Sequence, residues 1–268
     1  MGKDLARVRG IEVAYDDTGG GGPALVLLHG FPFDRSSWRG QAEALGDEFR
    51  VVAPDLRGMG ETPLGEGAVT IEAMAEDVAA LLDELKLNSV VLGGLSMGGY
   101  VAFEFFRKFP ALVRALVLAD TRPQADTEEG RLAREESAQR ALKEGMEPIV
   151  ASMLPKLLTA ETRERGGEIL ESVRAMMLGT RPDGAAAALR AMALRRDQTG
   201  LLTSINVPTL IIVGGEDSIT PPADAESMKA KIEGSRLVVV EGAGHLSNVE
   251  RPEEFNRALA EFLRGLPA

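Results

Sequence analysis

An alcohol becomes a useful nucleophile when a base and a carboxylate stand beside it, and this chain of 268 residues offers few ways to assemble such a set. It contains two histidines, His29 and His245. One serine, Ser96, sits inside Gly94-Leu95-Ser96-Met97-Gly98. That G-x-S-x-G pattern follows the apolar run Val90-Val91-Leu92 and leads straight into an apolar, helix-like stretch. A sharp strand-to-helix turn of this kind lifts a serine hydroxyl clear of a sheet edge. Gly94 and Gly98 lack the Cβ atoms that would collide across so tight a turn.

A serine hydroxyl is a poor nucleophile near neutral pH, so it needs a base within hydrogen-bond reach and an acid that orients the base. Both histidines follow an apolar run, and active groups in open α/β sheets collect at the carboxyl ends of strands. Chain order separates them, because the hydrolases that this strand–serine–helix motif resembles run serine, then acid, then histidine. His245, in Gly242-Ala243-Gly244-His245, fits that order and His29 does not. For the acid, Asp217 in Gly214-Gly215-Glu216-Asp217 follows the run Leu210-Ile211-Ile212-Val213. Asp120, at the end of Leu116-Val117-Leu118-Ala119, is the rival; position in the chain order favours Asp217.

The elements that must hold these residues are legible from period and punctuation. Residues 8–16 alternate loosely, as a partly exposed edge strand or hairpin would. Residues 24–28 form a continuous apolar run, which predicts a strand buried on both faces of a parallel sheet; 51–53 read as another short buried strand, and 90–95, 116–119, 208–213 and 237–240 as further strands. Helical spacing covers 38–49, and from the N-cap candidate Thr70 the series Ile71, Met74, Ala75, Val78, Leu81, Leu82 and Leu85 marks one helical face. Further helices are expected over 97–109, ended by Pro110, over 223–232 and over 252–263. Residues 121–200 are rich in charge and alanine and hold no strand-like run, so they read as an all-helical insertion. Strands alternating with helices predict a mostly parallel central sheet with helices on both faces. The domain reading is a core of 1–120 and 201–268 with a helical cap, or lid, of 121–200 inserted in it.

Composition limits the partners. With 41 acidic and 30 basic residues the net charge is -11, which repels phosphate backbones and anionic membrane surfaces. Nucleic acid and membrane are therefore not expected as partners. The absence of cysteine removes thiolate nucleophiles and sulfur-ligated metals. The charged start is followed by no apolar h-region, and no stretch approaches the roughly 18 apolar residues of a membrane span. A cytoplasmic protein is the expectation.

Taken together, His29-Gly30-Phe31-Pro32, Asp55-Leu56-Arg57-Gly58-Met59-Gly60, Gly94-Leu95-Ser96-Met97-Gly98-Gly99, Gly214-Gly215-Glu216-Asp217-Ser218-Ile219-Thr220-Pro221 and Gly244-His245 resemble the α/β-hydrolase superfamily. The resemblance spans nearly the whole chain outside the insertion. It is nearest to the small serine esterases, the 3-oxoadipate enol-lactonase-like hydrolases and the cofactor-free haloperoxidase-like enzymes. The resemblance implies an α/β-hydrolase fold with a lid at 121–200, and an oxyanion hole made by the backbone N–H groups of Phe31 and Met97. His29 would hold the oxyanion loop by hydrogen bonding. Serine at the elbow disfavours the dehalogenase and epoxide hydrolase reactions, whose enzymes carry aspartate there.

These features point to a serine hydrolase cleaving carboxylic esters of small to medium size through an acyl-enzyme, with Ser96, Asp217 and His245 as the catalytic set and no cofactor or metal. A lactonase acting on a small enol-lactone, or a ligand receptor that retains the triad, are the alternatives. The partner is a small-molecule ester or lactone. Trp38 is a candidate pocket wall, with core packing as the other reading. Five of the ten methionines, Met146, Met153, Met176, Met177 and Met192, lie in the insertion, where they either line an adaptable acyl or alcohol pocket or pack the insertion on the core. Asp55 and Arg57 read as a structural turn, and the charged run 128–144 as the solvated face of a lid helix.

Overall fold

The apolar runs of the sequence assemble into one eight-stranded sheet in the computed structural model, which describes residues 2–267. The strands are β1 (Gly2–Val8), β2 (Ile11–Asp17), β3 (Ala24–Leu28), β4 (Arg50–Pro54), β5 (Val90–Leu95), β6 (Val113–Ala119), β7 (Thr209–Gly214) and β8 (Arg236–Val240). Their order across the sheet is β1-β2-β4-β3-β5-β6-β7-β8. The β1/β2 and β2/β4 pairs are antiparallel and all others parallel. The helices of the core are α1 (Arg39–Leu45), α2 (Ile71–Glu84) and α3 (Met97–Lys108). Between β6 and β7 follow α4 (Glu128–Glu144), α5 (Glu147–Leu157), α6 (Ala160–Arg165), α7 (Glu168–Gly179) and α8 (Pro182–Ala193). The chain closes with α9 (Pro222–Lys231), α10 (Ser247–Glu250) and α11 (Pro252–Arg264).

The central strands are continuously apolar because successive residues point to opposite faces and both faces are covered. Val26, Leu28, Leu92, Leu116 and Leu118 belong to one buried cluster, with Met74, Val78 and Leu81 of α2 and Val101 and Phe105 of α3. Leu25, Leu27, Val91, Leu95 and Val117 belong to the other, with Ala42 and Leu45 of α1 and Phe255, Leu259 and Leu263 of α11. Thr70 caps α2 as expected, its side chain accepting from the Ala73 N–H.

Two differences from the sequence reading have local causes. The N-terminal strand is a hairpin whose first arm lies ahead of residue 8, and its turn is made by Arg9 (φ 47°) and Gly10 (φ 82°). The helix over 38–49 is shorter, a 3₁₀ turn Arg35–Trp38 followed by α1, because the chain leaves the helix at Gly46 to enter β4. β8, at the sheet edge, is only partly buried.

Residues 121–200 hold no strand among the described residues. α4 packs along α8 and buries only Ala138 and Ala141, leaving the charged run 128–144 outward. The helices between β6 and β7 touch the rest of the chain at fixed points. The Thr180 hydroxyl donates to the Pro32 carbonyl at 2.8 Å, and Arg181 Nη2 donates to the Thr62 carbonyl at 3.1 Å. Gly184 meets Gly58 so closely that a Cβ on it would lie 1.9 Å from the Gly58 oxygen. No helix among the described residues is long and apolar enough to cross a membrane.

Phe255 is fully buried, with its ring centroid 5.9 Å from that of Trp38. Phe255→Ala is expected to lower stability by about 3–5 kcal/mol in urea denaturation, whereas Leu132→Ala on the outer face of α4 should cost less than about 0.5 kcal/mol. Equal losses in the two variants would contradict this placement of the core.

Candidate active site

Ser96 stands between β5 and α3 with φ 52° and ψ -112°, a left-handed conformation that costs a non-glycine residue about 1–3 kcal/mol. Its backbone is held on several sides. The Ser96 N–H donates to the Ala119 carbonyl at 2.9 Å, and its own carbonyl accepts from the Gly99 N–H at 2.9 Å and the Thr121 hydroxyl at 2.8 Å. The flanking glycines are sterically required. A Cβ on Gly98 would lie 2.1 Å from the Leu28 oxygen, and one on Gly94 would lie 2.3 Å from the Gly98 oxygen. The first turn of α3 can therefore press against the end of β3 only with glycine at both positions.

The structure brings Ser96, His245 and Asp217 together. Ser96 Oγ is 2.8 Å from His245 Nε2, and His245 Nδ1 is 2.8 Å from Asp217 Oδ2. Ser96 is half-buried, while His245 and Asp217 are 2% and 3% exposed. A carboxylate can only accept, so the ring proton belongs on Nδ1 and the Nε2 lone pair faces the serine hydroxyl. Asp217 Oδ1 also accepts from the Ile219 and Thr220 N–H groups at 2.8 and 2.9 Å, and Oδ2 from the Thr220 hydroxyl at 2.7 Å. Burial pushes the Asp217 carboxyl up, but its bond to His245 and the Thr220 donors outweigh it and hold the group below the usual carboxylate range. Asp217 is thus an ionised acceptor through the neutral range.

Asp120 occupies the end of β6 but turns elsewhere. Its Oδ1 accepts from the Gly214 N–H at 2.8 Å and its Oδ2 from the Ser247 hydroxyl at 2.5 Å, so it braces the ends of β7 and α10. Complete burial, reinforced by the charge of Asp217, pushes its carboxyl up to about 7. Of the two acids, Asp217 is the one bonded to the histidine.

His29 is fully buried, and its Nε2 accepts from the Leu56 N–H at 3.0 Å. The remaining proton therefore sits on Nδ1 and donates to the Gly30 carbonyl at 2.8 Å. Burial lowers the His29 pKa, which keeps the ring neutral in this role. Asp55 accepts from the Arg35 and Glu61 N–H groups, both at 2.8 Å, and Arg57 pairs with Asp77 in a buried ion pair at 2.6 Å. The segment from His29 to Arg35 is thereby tied to the loop after β4. Phe31 lies in this segment, and Met97 opens α3, where a backbone N–H has no carbonyl four residues back to accept it. A Cβ on Gly30 would lie 3.3 Å from Ser96 Cβ, which puts the segment directly beside the serine.

The pocket candidates need correction. Trp38 belongs to the core rather than a pocket wall: it is fully buried against Phe255, at the end of the 3₁₀ turn that faces α11. Met146, Met177 and Met192 are buried in the two core clusters, which is the packing alternative. Met153 and Met176 are half-buried, and Met153 lies against both clusters. Thr220, Thr121 and Ser247 were not singled out by sequence, since hydroxyls bonding to backbone or acid leave no periodic signal.

A sequence profile described as the alpha/beta hydrolase family matches residues 25–258, and the chain belongs to that family. It is a hydrolase. More particularly, it is 31% identical over 244 residues to 3-oxoadipate enol-lactonase 1 of Acinetobacter baylyi, a match covering 91% of this chain and 90% of that protein. Among solved structures, a malate-bound thermophilic esterase from Thermogutta terrifontis aligns over 100% of both chains with a TM-score of 0.95 and 43% identity. The enol-lactonase from Burkholderia xenovorans aligns over 97% of this chain and 100% of its own, with a TM-score of 0.91 and 31% identity.

Between the unfolded aspartate range and about 7, the folded protein keeps a proton on Asp120 that the unfolded chain has released. The stability this group contributes is fully present below pH ~4 and is lost as pH rises through about 7. Asparagine reproduces the protonated group, so Asp120→Asn should lose less stability than wild type between pH 5 and pH 8, by on the order of 2 kcal/mol in urea denaturation. Parallel pH profiles for the two proteins would refute this.

Proposed function

We propose that this hydrolase is a serine esterase that cleaves carboxylic esters of small to medium acyl or alcohol groups through an acyl-enzyme on Ser96. The observation that carries the reading is the continuous hydrogen-bond chain from Ser96 Oγ through His245 to Asp217, with both links at 2.8 Å. His245 Nε2 takes the serine proton as Oγ attacks the ester carbonyl, and Asp217 stabilises the imidazolium without taking its proton. The tetrahedral oxyanion is received by the N–H groups of Phe31 and Met97. Such donors act where charge develops, and losing one typically costs about 3 kcal/mol of barrier. The imidazolium protonates the departing alkoxide, and the acyl group remains on Ser96. Water then gives up a proton to His245 and attacks the acyl carbonyl, and the imidazolium returns that proton to Ser96 Oγ as the acyl–oxygen bond breaks and the acid leaves.

The helices at 121–200 serve in this reading as a cap over the site, with Met153 and Met176 as its adaptable apolar contacts. The substrate in this reading is a small-molecule ester in a cytoplasmic setting. The similarity to the Thermogutta esterase, at 43% identity, supports linear esters. The similarity to two enol-lactonases, each at 31% identity, supports a second reading in which a small lactone ring is opened by the same steps.

Purified enzyme is expected to turn over p-nitrophenyl acetate and butyrate, with Ser96→Ala lowering kcat by about 10⁴-fold or more. Wild-type rates in that variant would end the serine reading. A lactone cleaved faster than linear esters of equal size would favour the second reading, and near-single-turnover kinetics would point to a receptor.

A further inference from the structure

Glu250 takes no part in the chemistry proposed above, yet it is a carboxylate only 3% exposed at the end of α10. Its Oε1 accepts from the Thr159 N–H and the Thr159 hydroxyl, both at 2.9 Å. Its Oε2 accepts from the Gly244 N–H at 2.6 Å. Thr159 lies in the insertion and caps α6, its hydroxyl oxygen accepting from the Thr162 N–H at 3.2 Å. Gly244 is the residue before His245. One side chain therefore bonds the insertion to the backbone that carries the histidine.

Close packing occurs at the same place. A Cβ on Gly244 would lie 3.0 Å from the Leu157 oxygen, 3.2 Å from the Thr159 nitrogen and 3.0 Å from Glu250 Oε2. On the sheet side, a Cβ on Gly214 would lie 2.0 Å from the Gly244 oxygen, and Ser247 is bonded to Asp120. The histidine loop is thus gripped between the end of β7 and the linker between α5 and α6. A buried carboxylate is costly unless its oxygens are fully bonded, and here two backbone N–H groups and a hydroxyl supply the donors. A neutral amide could not replace it, because its NH₂ would face one of those N–H groups.

Resting on the reading of Ser96 and His245 as nucleophile and base, we propose that Glu250 is a positioning residue that keeps the His245 imidazole in line with Ser96 by bonding the Gly244 backbone to Thr159 of the insertion. It touches neither substrate nor reacting atoms and acts through the Gly244 N–H. Docking of the α5–α6 linker and alignment of the histidine are then a single event. Displacing that linker releases Gly244, and the ring loses its register with Ser96.

The experiment compares full-length wild type, Glu250→Gln, Thr159→Val and Thr159→Ser on p-nitrophenyl acetate. Ser96→Ala is the control, and the low-field proton resonance of the His245 Nδ1–H shared with Asp217 is followed by NMR. Glu250→Gln is expected to lower kcat by about 10- to 100-fold, with KM within about twofold and a weakened, broadened resonance. Thr159→Val should move both readouts the same way by about three- to tenfold in kcat, and Thr159→Ser should restore them. An unchanged kcat and resonance in Glu250→Gln, with Ser96→Ala inactive, overturns the positioning role. If Glu250→Gln does not fold, the two Thr159 variants decide, and equal kcat in both overturns it. Activity surviving in Ser96→Ala sinks instead the serine reading on which this one rests.

Discussion

The approach of Gly98 to the Leu28 carbonyl is the contact on which the site depends. α3 begins so close to the end of β3 that only a hydrogen fits at Gly98 Cα, and Gly94 is crowded in turn by Gly98. With both ends of the turn pinned, Ser96 is forced into a positive φ and its side chain is projected from the sheet edge. The same proximity sets β3 and its following loop beside the serine, so Gly30 and Phe31 arrive next to Ser96 without any added device. Substituting either glycine would move the serine and the loop together.

Burial of charge is handled differently at each of the carboxylates near His245. Asp217 is surrounded by donors and by the histidine and stays ionised. Asp120, meeting one N–H and one hydroxyl, with Asp217 for a neighbour, is pushed toward its neutral form. Two acids at adjacent strand ends thereby take separate duties: one orients a ring, the other braces the strand ends that place it. Electrostatics, more than position along the chain, distinguishes them.

Much of this was legible in the sequence. Strands β3 to β7 appear as continuous apolar runs because both their faces are covered, and Ser96, Asp217 and His245 each follow such a run, in the chain order expected from the resemblance. The structure brings these three together, and it bonds His29 to the Leu56 N–H and the Gly30 carbonyl. Other features were hidden for physical reasons. β1 is charged and lies at the sheet edge, so no apolar period marks it. Trp38 is as apolar as a pocket wall would be, and only the position of α11 shows that it faces Phe255. Glu250 bonds Thr159, 91 positions away, and the Gly244 N–H, while Thr220 bonds the Asp217 carboxylate, and neither arrangement imposes a pattern on neighbouring residues.

The seams of the insertion have a meaning for how such chains diverge. Thr180 against Pro32, Gly184 against Gly58 and Thr159 against Glu250 are joints whose two halves come from different parts of the chain. Between those joints the outward helix surfaces are charged and loosely constrained, so their sequence can drift at little cost. At the joints, a change on one side demands an answering change on the other. Exchange of these helices between related chains therefore requires the joint residues to travel with them, and the permissible grafts are defined by such contacts rather than by the length of the segment.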